Sequence, residues 1–227
     1  MRLRRSVACA ALAVAVAAAV APAAAQAPAV LDVTAMDYAF KVSPSVKAGL
    51  VTVRLRNTGK KLHHVQLFKL SEGKRVSDLF VLFLAAKSIA EPPPWAVPAG
   101  GPSAAMPGQV IEIQQALSPG RYALICWVPV GDGTLHFMRG MIGEVEVTGP
   151  ASRVTEPKAD LVALTTEHTI TLDRAVTRGR KVIRIENRGT VPHEFLLVRL
   201  KPGESARDVA EWSGAGQLGT PPHESWS

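Results

Sequence analysis

Residues 120–148 read GRYALICWVPVGDGTLHFMRGMIGEVEVT, and this stretch decides the interpretation of the whole chain. Residues 122–126 and 143–148 have the composition of two short strands, the second with Val145 and Val147 alternating with acidic side chains. Alternation with a period of two is typical of a strand that is buried on one face. Cys126, His136 and Met141 lie where the first strand ends and the second begins, so three metal-binding side chain types fall on one loop.

More strands are indicated upstream of this stretch. Val51, Val53 and Leu55 alternate with polar residues before an Asn-Thr-Gly turn at 57–59, and Val65 and Leu67 continue the period after it. Apolar residues then recur at helical spacing over 76–84, and the Pro- and Gly-rich residues 91–109 favour a long ordered loop. Several short strands separated by Gly and Pro turns predict an all-β sandwich with one inserted helix.

The sequence also repeats itself. Residues 46–79 align without a gap on residues 176–209 at an offset of 130, which places Asn57 on Asn187, Gly59 on Gly189 and His63 on His193. This alignment predicts one domain over 26–150, a linker over 151–158 and an incomplete second copy over 159–227 that lacks the Cys-loop half. Half a sandwich leaves strand edges unpaired, so the second copy should pack on the first, self-associate with another chain or stay partly disordered.

Residues 1–25 affect the net charge and the cysteine count that the mature protein would have. Residues 1–25 combine three arginines, a short apolar stretch and an Ala-Ala-Ala end, the pattern of a cleaved signal peptide, so we expect a periplasmic or secreted protein. Removing them lowers the formal charge from +7 to +4, because 23 basic and 19 acidic side chains remain, scattered without the basic stripe of a nucleic-acid binder. Cys9 is lost as well, and Cys126 remains as a single thiol that needs protection in an oxidising compartment, by a metal bond, an intermolecular disulfide or burial.

Copper accounts for this thiol and its neighbours. Two imidazoles, a thiolate and a weak axial thioether suit an ion that alternates between Cu(I) and Cu(II), whereas a thioether is a poor donor to zinc. Strand parity places His63 on the core side with Val65 and Leu67, and His64 toward solvent. Met141 shares parity with Val145 and Val147, with Met138 as its rival for the axial position. The candidate ligand set is therefore His63, Cys126, His136 and Met141.

These motifs resemble those of the cupredoxins, or blue copper proteins. GRYALIC is followed by Pro129, and four residues, FMRG, separate His136 from Met141, as in family members; the Asn-Thr-Gly turn before His63 resembles the segment before the family's first histidine ligand. The resemblance implies a Greek-key sandwich with one type 1 copper ion. One departure is the spacing of nine residues between Cys126 and His136, which is longer than in plastocyanin-like members and nearer to the loop of multicopper nitrite reductases.

The expected function is electron transfer, with a redox partner docking near an exposed His136 loop. Copper storage or delivery through the same ligands, with a copper-exchange partner, is the first alternative, and a metal-free β-sandwich binding module is the second. Enzymatic activity is not expected, because four protein ligands leave no open position for a substrate. His168, His193 and His223 lack a partner cluster in the sequence and are expected to be structural or surface residues.

Overall fold

The computed structural model describes residues 27–86, 91–215 and 220–224. The predicted signal peptide, residues 1–25, lies outside the described residues. No helix in the described parts of the chain is long and apolar enough to cross a membrane.

Residues 27–150 form two sheets that pack face to face. The first sheet has the order β2-β1-β4-β7, and its strands are β1 (Ala29–Met36), β2 (Ala39–Val42), β4 (Gly49–Asn57) and β7 (Val110–Leu117). The second sheet has the order β3-β9-β8-β5-β6, and its strands are β3 (Ser45–Lys47), β5 (Gln66–Leu70), β6 (Ala96–Pro98), β8 (Gly120–Ile125) and β9 (Ile142–Thr148). The predicted all-β sandwich is confirmed.

The central strand β8 shows why the sequence folds this way. Tyr122, Leu124 and, just past the strand, Cys126 point into the core between the sheets, while Ala123 and Ile125 face the opposite side. The opposite side is covered by α1 (Val76–Ala86), the inserted helix, which buries Leu79 and Phe83 against it. A strand buried on both faces must be apolar at every position, which explains the unbroken run YALIC.

The sequence-based expectation for residues 91–109 was only partly right. The segment contains the short strand β6, which pairs with β5 at the edge of the second sheet, and Ala105, which forms an isolated antiparallel bridge with His63. Proline is tolerated on edge strands because it removes only a hydrogen bond that has no partner strand. This explains how a segment rich in proline still joins the sheet.

A smaller sheet follows in the C-terminal part of the chain. It has the order β11-β10-β12, with strands β10 (Leu161–Thr165), β11 (Ile170–Leu172) and β12 (Ile183–Asn187), and α2 (Ala206–Gly214) comes after it. Its pairings repeat those of β1 at an offset of 130: Ala35 pairs with Asn57 in the first sheet, and Thr165 pairs with Asn187 here.

Candidate metal centre

Three of the four predicted ligands converge in the core of the sandwich. The imidazole Nδ1 atoms of His63 and His136 are 3.0 Å apart, and the sulfur of Cys126 lies 3.5 Å from Nδ1 of His136. One ligand atom from each of the three residues lies within 4.8 Å of the other two. Their exposed fractions are 0%, 1% and 0% for His63, His136 and Cys126, so the donors are enclosed by protein.

A network around Asn57 holds His63 in place. The buried Asn57 amide donates to the carbonyls of Lys61 and Ala105, at 2.7 and 2.8 Å, and its Oδ1 accepts from the N–H of Gly59. The backbone of His63 forms two hydrogen bonds with Ala105 in the same region. The Asn-Thr-Gly turn predicted from the sequence therefore fixes the backbone of His63 against the segment that follows β6.

The loop from Cys126 to Met141 is tied together by its own backbone. His136 donates its N–H to the carbonyl of Val128, Phe137 donates to Cys126, and Cys126 donates to Met141. The residues that make the loop long form a tight turn over 130–134, flanked by a bridge between Pro129 and Leu135. The extra length projects away as a separate turn, so Cys126 and His136 still meet.

The protein environment of Cys126 favours a thiol until a metal binds. Burial raises the pKa of the Cys126 thiol to about 11, although the backbone N–H groups of His64 and Val128 point at the sulfur and lower the pKa in part. A coordinating thiol is deprotonated by a bound metal cation, so a copper ion held by Cys126 would displace its proton. The two N–H groups would then stabilise the thiolate charge.

Both histidines of the cluster are neutral near pH 7. Burial lowers the pKa of His63, and burial together with the positive charges of its neighbours lowers the pKa of His136 to about 4. Only a neutral imidazole has a free lone pair for a metal. Two neutral imidazoles beside one thiol are the donor set that suits copper, so the residues present fit the ion expected from the sequence.

The two candidate methionines occupy different places. Met141 is fully buried and belongs to the core between the sheets, together with Cys126. Met138 lies in the short 3-10 helix His136–Arg139 and packs with Phe137 in the cluster under α1, on the other side of the sheet. The structure thus places Met141 in the same core as the donors, and Met138 in the neighbouring cluster.

One expectation from the sequence was wrong. His64 does not point to solvent: it is half-buried, its Nε2 accepts the N–H of Trp127 at 3.3 Å, and burial lowers its pKa to about 4. Parity failed because His64 precedes β5, outside a regular strand. The loop that carries His136 is exposed over residues 131–133, but the His136 side chain is buried, since the ring of Tyr38 packs edge-on against it at a centroid distance of 5.1 Å and Arg139 lies over Tyr38.

The sequence reasoning missed Asp37, a carboxylate in the turn between β1 and β2. Its Oδ1 lies 3.2 Å from Nε2 of His63 and also accepts the N–H groups of Lys60 and Lys61. Desolvation opposes ionisation, but these hydrogen bonds prevail and lower the pKa of Asp37. The signal that could have found it is the offset of 130, which places Asp37 on another acid, Glu167.

Several solved structures match part of this chain at low sequence identity. A crystal structure of dithionite-reduced auracyanin from the photosynthetic bacterium Roseiflexus castenholzii matches at 20% identity with a TM-score of 0.37, covering 53% of this chain and 97% of its own. Auracyanin A from Chloroflexus aurantiacus, described as a "blue" copper protein, matches at 23% identity and a TM-score of 0.36, covering 54% of this chain and all of its own.

Rusticyanin from Thiobacillus ferrooxidans is a third similar structure, at 18% identity and a TM-score of 0.32, covering 52% of this chain and 76% of its own. No protein-family profile matches the chain, and neither does any curated protein sequence.

Proposed function

We propose that residues 26–150 bind one type 1 copper ion through His63, Cys126, His136 and Met141, and that the protein transfers single electrons. The observation that carries the proposal is the convergence of two imidazole Nδ1 atoms and one thiol sulfur in the core of the sandwich. Copper bound there would supply the Cu(I)/Cu(II) couple. The same ligand set serves both oxidation states of copper with little rearrangement.

The surrounding residues give each donor a defined task. The two imidazoles provide neutral donors, Cys126 provides the charged one, and the N–H groups of His64 and Val128 stabilise its charge. Because the backbone bonds between Cys126, His136 and Met141 set their positions, the donors do not have to move when an electron arrives. Four protein ligands would leave no coordination position for a substrate, so we propose no enzymatic activity.

Burial of the donors favours electron transfer over copper delivery. A protein that hands over its metal must let a partner's ligand reach the ion, but the exposed fractions of all three donors here are 1% or less. An electron needs no such path and can reach a buried centre through a thin layer of protein. Tyr38 and Arg139, which cover His136, form that layer, and we propose that a redox partner docks over them.

The remaining assignments rest on the sequence. We propose export to the periplasm or beyond, from the signal-peptide pattern of residues 1–25, and a second, partial copy of the same domain over 159–227 after a linker at 151–158. The strand register that recurs at an offset of 130 supports the partial copy.

Redox cycling against a Cu(I) chelator tests electron transfer against delivery. The copper-loaded protein is reduced and reoxidised repeatedly in the presence of the chelator, and copper retained by the protein is measured after each cycle. We expect the blue colour to return in full, because the chelator cannot reach the buried ion. Transfer of copper to the chelator within the first reduction would support the delivery alternative and contradict our proposal.

Met141→Leu, with Met138→Leu as the matched control, tests the axial assignment. Without an axial thioether, the remaining donors stabilise Cu(II) less well relative to Cu(I). The reduction potential of Met141→Leu should therefore rise clearly above that of the wild type. Met138 packs under α1, and its replacement should leave the potential nearly unchanged. Equal shifts in the two variants, measured by redox titration of the blue colour, would contradict the assignment of Met141.

A further inference from the structure

We propose that Asp37 is a positioning residue for the copper centre: its carboxylate fixes the orientation of His63 and favours the oxidised ion. This inference rests on the proposed function. Asp37 reaches His63 from the turn between β1 and β2, 26 positions earlier in the chain, with Oδ1 at 3.2 Å from Nε2. It touches none of the reacting atoms and acts only through the imidazole.

The contact determines which nitrogen of His63 faces the other donors. An ionised carboxylate can only accept hydrogen bonds, so the proton of the neutral His63 ring lies on Nε2 and Nδ1 keeps its lone pair. Nδ1 is the atom directed toward His136. A carboxylate bonded to the outer nitrogen of a metal-bound imidazole orients the ring and makes it a stronger donor.

The space around this contact is closely filled. A Cβ atom on Gly59 would lie 2.4 Å from Oδ1 of Asp37 and 2.9 Å from Nε2 of His63. A side chain at position 59 would therefore crowd the contact between the carboxylate and the imidazole. The same oxygen accepts the N–H groups of Lys60 and Lys61, which hold the carboxylate in position independently of His63.

The region around the C-terminal sheet, β10 to β12, shows that a carboxylate at this position can bond to the loop backbone without bonding to the histidine. Glu167, at the equivalent position, accepts the N–H of Thr190 as Asp37 accepts that of Lys60, so the link between turn and loop recurs. Nε2 of His193, however, is buried and has no hydrogen-bond partner among the described residues. The hydrogen bond from the carboxylate to the imidazole is thus present only beside Cys126, between Asp37 and His63, among the described residues. The bond from the carboxylate to the backbone N–H of the histidine loop is present at both places.

Asp37→Asn is the decisive variant, with Glu167→Gln as its matched control. Asparagine keeps an oxygen that can accept all three hydrogen bonds but removes the negative charge, which favours Cu(II) over Cu(I). We expect the preference for Cu(II) over Cu(I) to fall about tenfold, which corresponds to a potential about 59 mV higher. Glu167→Gln should leave the potential unchanged. Asp37→Glu, which restores the charge, should have a potential closer to that of the wild type than Asp37→Asn has.

The readouts separate this inference from the proposed function. An unchanged potential in a blue Asp37→Asn protein would overturn the role of Asp37 and leave the copper proposal intact. If the wild type binds no copper, the proposed function fails, and nitrogen NMR of the metal-free protein still tests the orientation. We expect His63 to carry its proton on Nε2 in the wild type and to lose this preference in Asp37→Ala, whereas the same tautomer in both proteins would refute the inference.

Discussion

His63 and His193 stand at equivalent positions in two parts of the chain, but their surroundings differ. Each follows an Asn-x-Gly turn in which the asparagine Oδ1 accepts the glycine N–H at 2.9 Å. His63 is fully buried beside Cys126 and His136, whereas His193 is only partly buried. The β1-β2-β4 arrangement thus builds a histidine-bearing loop by itself.

What the second unit lacks among its described residues is a counterpart of β8, the Cys126 loop and β9. In the N-terminal sandwich these elements supply the thiol, the second imidazole and several buried side chains of both core clusters. The comparison teaches that the histidine-bearing loop alone offers one candidate ligand, and that the proposed copper centre also needs the donors carried by β8, the Cys126 loop and β9. The N-terminal sandwich and the C-terminal sheet therefore provide paired positions at which the same substitution should change copper affinity or stability by different amounts.

The largest difference is expected for His63→Leu against His193→Leu. Removal of His63 deletes one of the donors, so copper affinity should fall by more than the roughly 10- to 100-fold loss that follows from changing a residue outside the ligand set. His193→Leu should bind copper as the wild type does. Copper affinity is measured by competition with a chelator of known strength.

A comparable loss of affinity in both variants would break the comparison, because it would mean that His193 contributes to a metal site. Circular dichroism of each variant checks that the strands are retained, so that a loss of affinity is not mistaken for unfolding.

A smaller difference is expected for Asn57→Ala against Asn187→Ala. The Asn57 amide donates to two carbonyls, one of them fully buried, and its loss should cost about 2 kcal/mol of unfolding free energy because buried partners are left without a bond. Asn187 donates to the carbonyl of Val191 at an exposed site, so its loss should cost less than about 1 kcal/mol. Amide hydrogen exchange measures each unit separately. Equal costs would mean that burial does not distinguish the two turns.

Much of the fold and part of the candidate site could be predicted from the sequence. The strand 122–126 appears as β8, and 143–148 as most of β9, because apolar alternation reports directly on which face of a strand is buried. The meeting of His63 with Cys126 and His136 was expected from the order of the residues together with the resemblance to the cupredoxins.

What could not be predicted depends on contacts between distant segments. The cover over His136 comes from Tyr38, nearly 100 positions earlier, in a turn with no pattern that indicates its neighbours. The positions of His64 and Asp37 were missed for the same reason, since periodicity describes one strand at a time and says nothing about side chains in turns.

The most direct test of the copper centre is the visible spectrum of the purified protein with one equivalent of Cu(II), recorded for the wild type and for Cys126→Ser. A thiolate bound to Cu(II) gives an intense charge-transfer colour that a hydroxyl cannot give. We predict a blue wild type and a colourless Cys126→Ser protein whose circular dichroism is unchanged. A wild type that stays colourless, or a serine variant as blue as the wild type, would contradict the assignment of Cys126 and with it the proposed electron transfer.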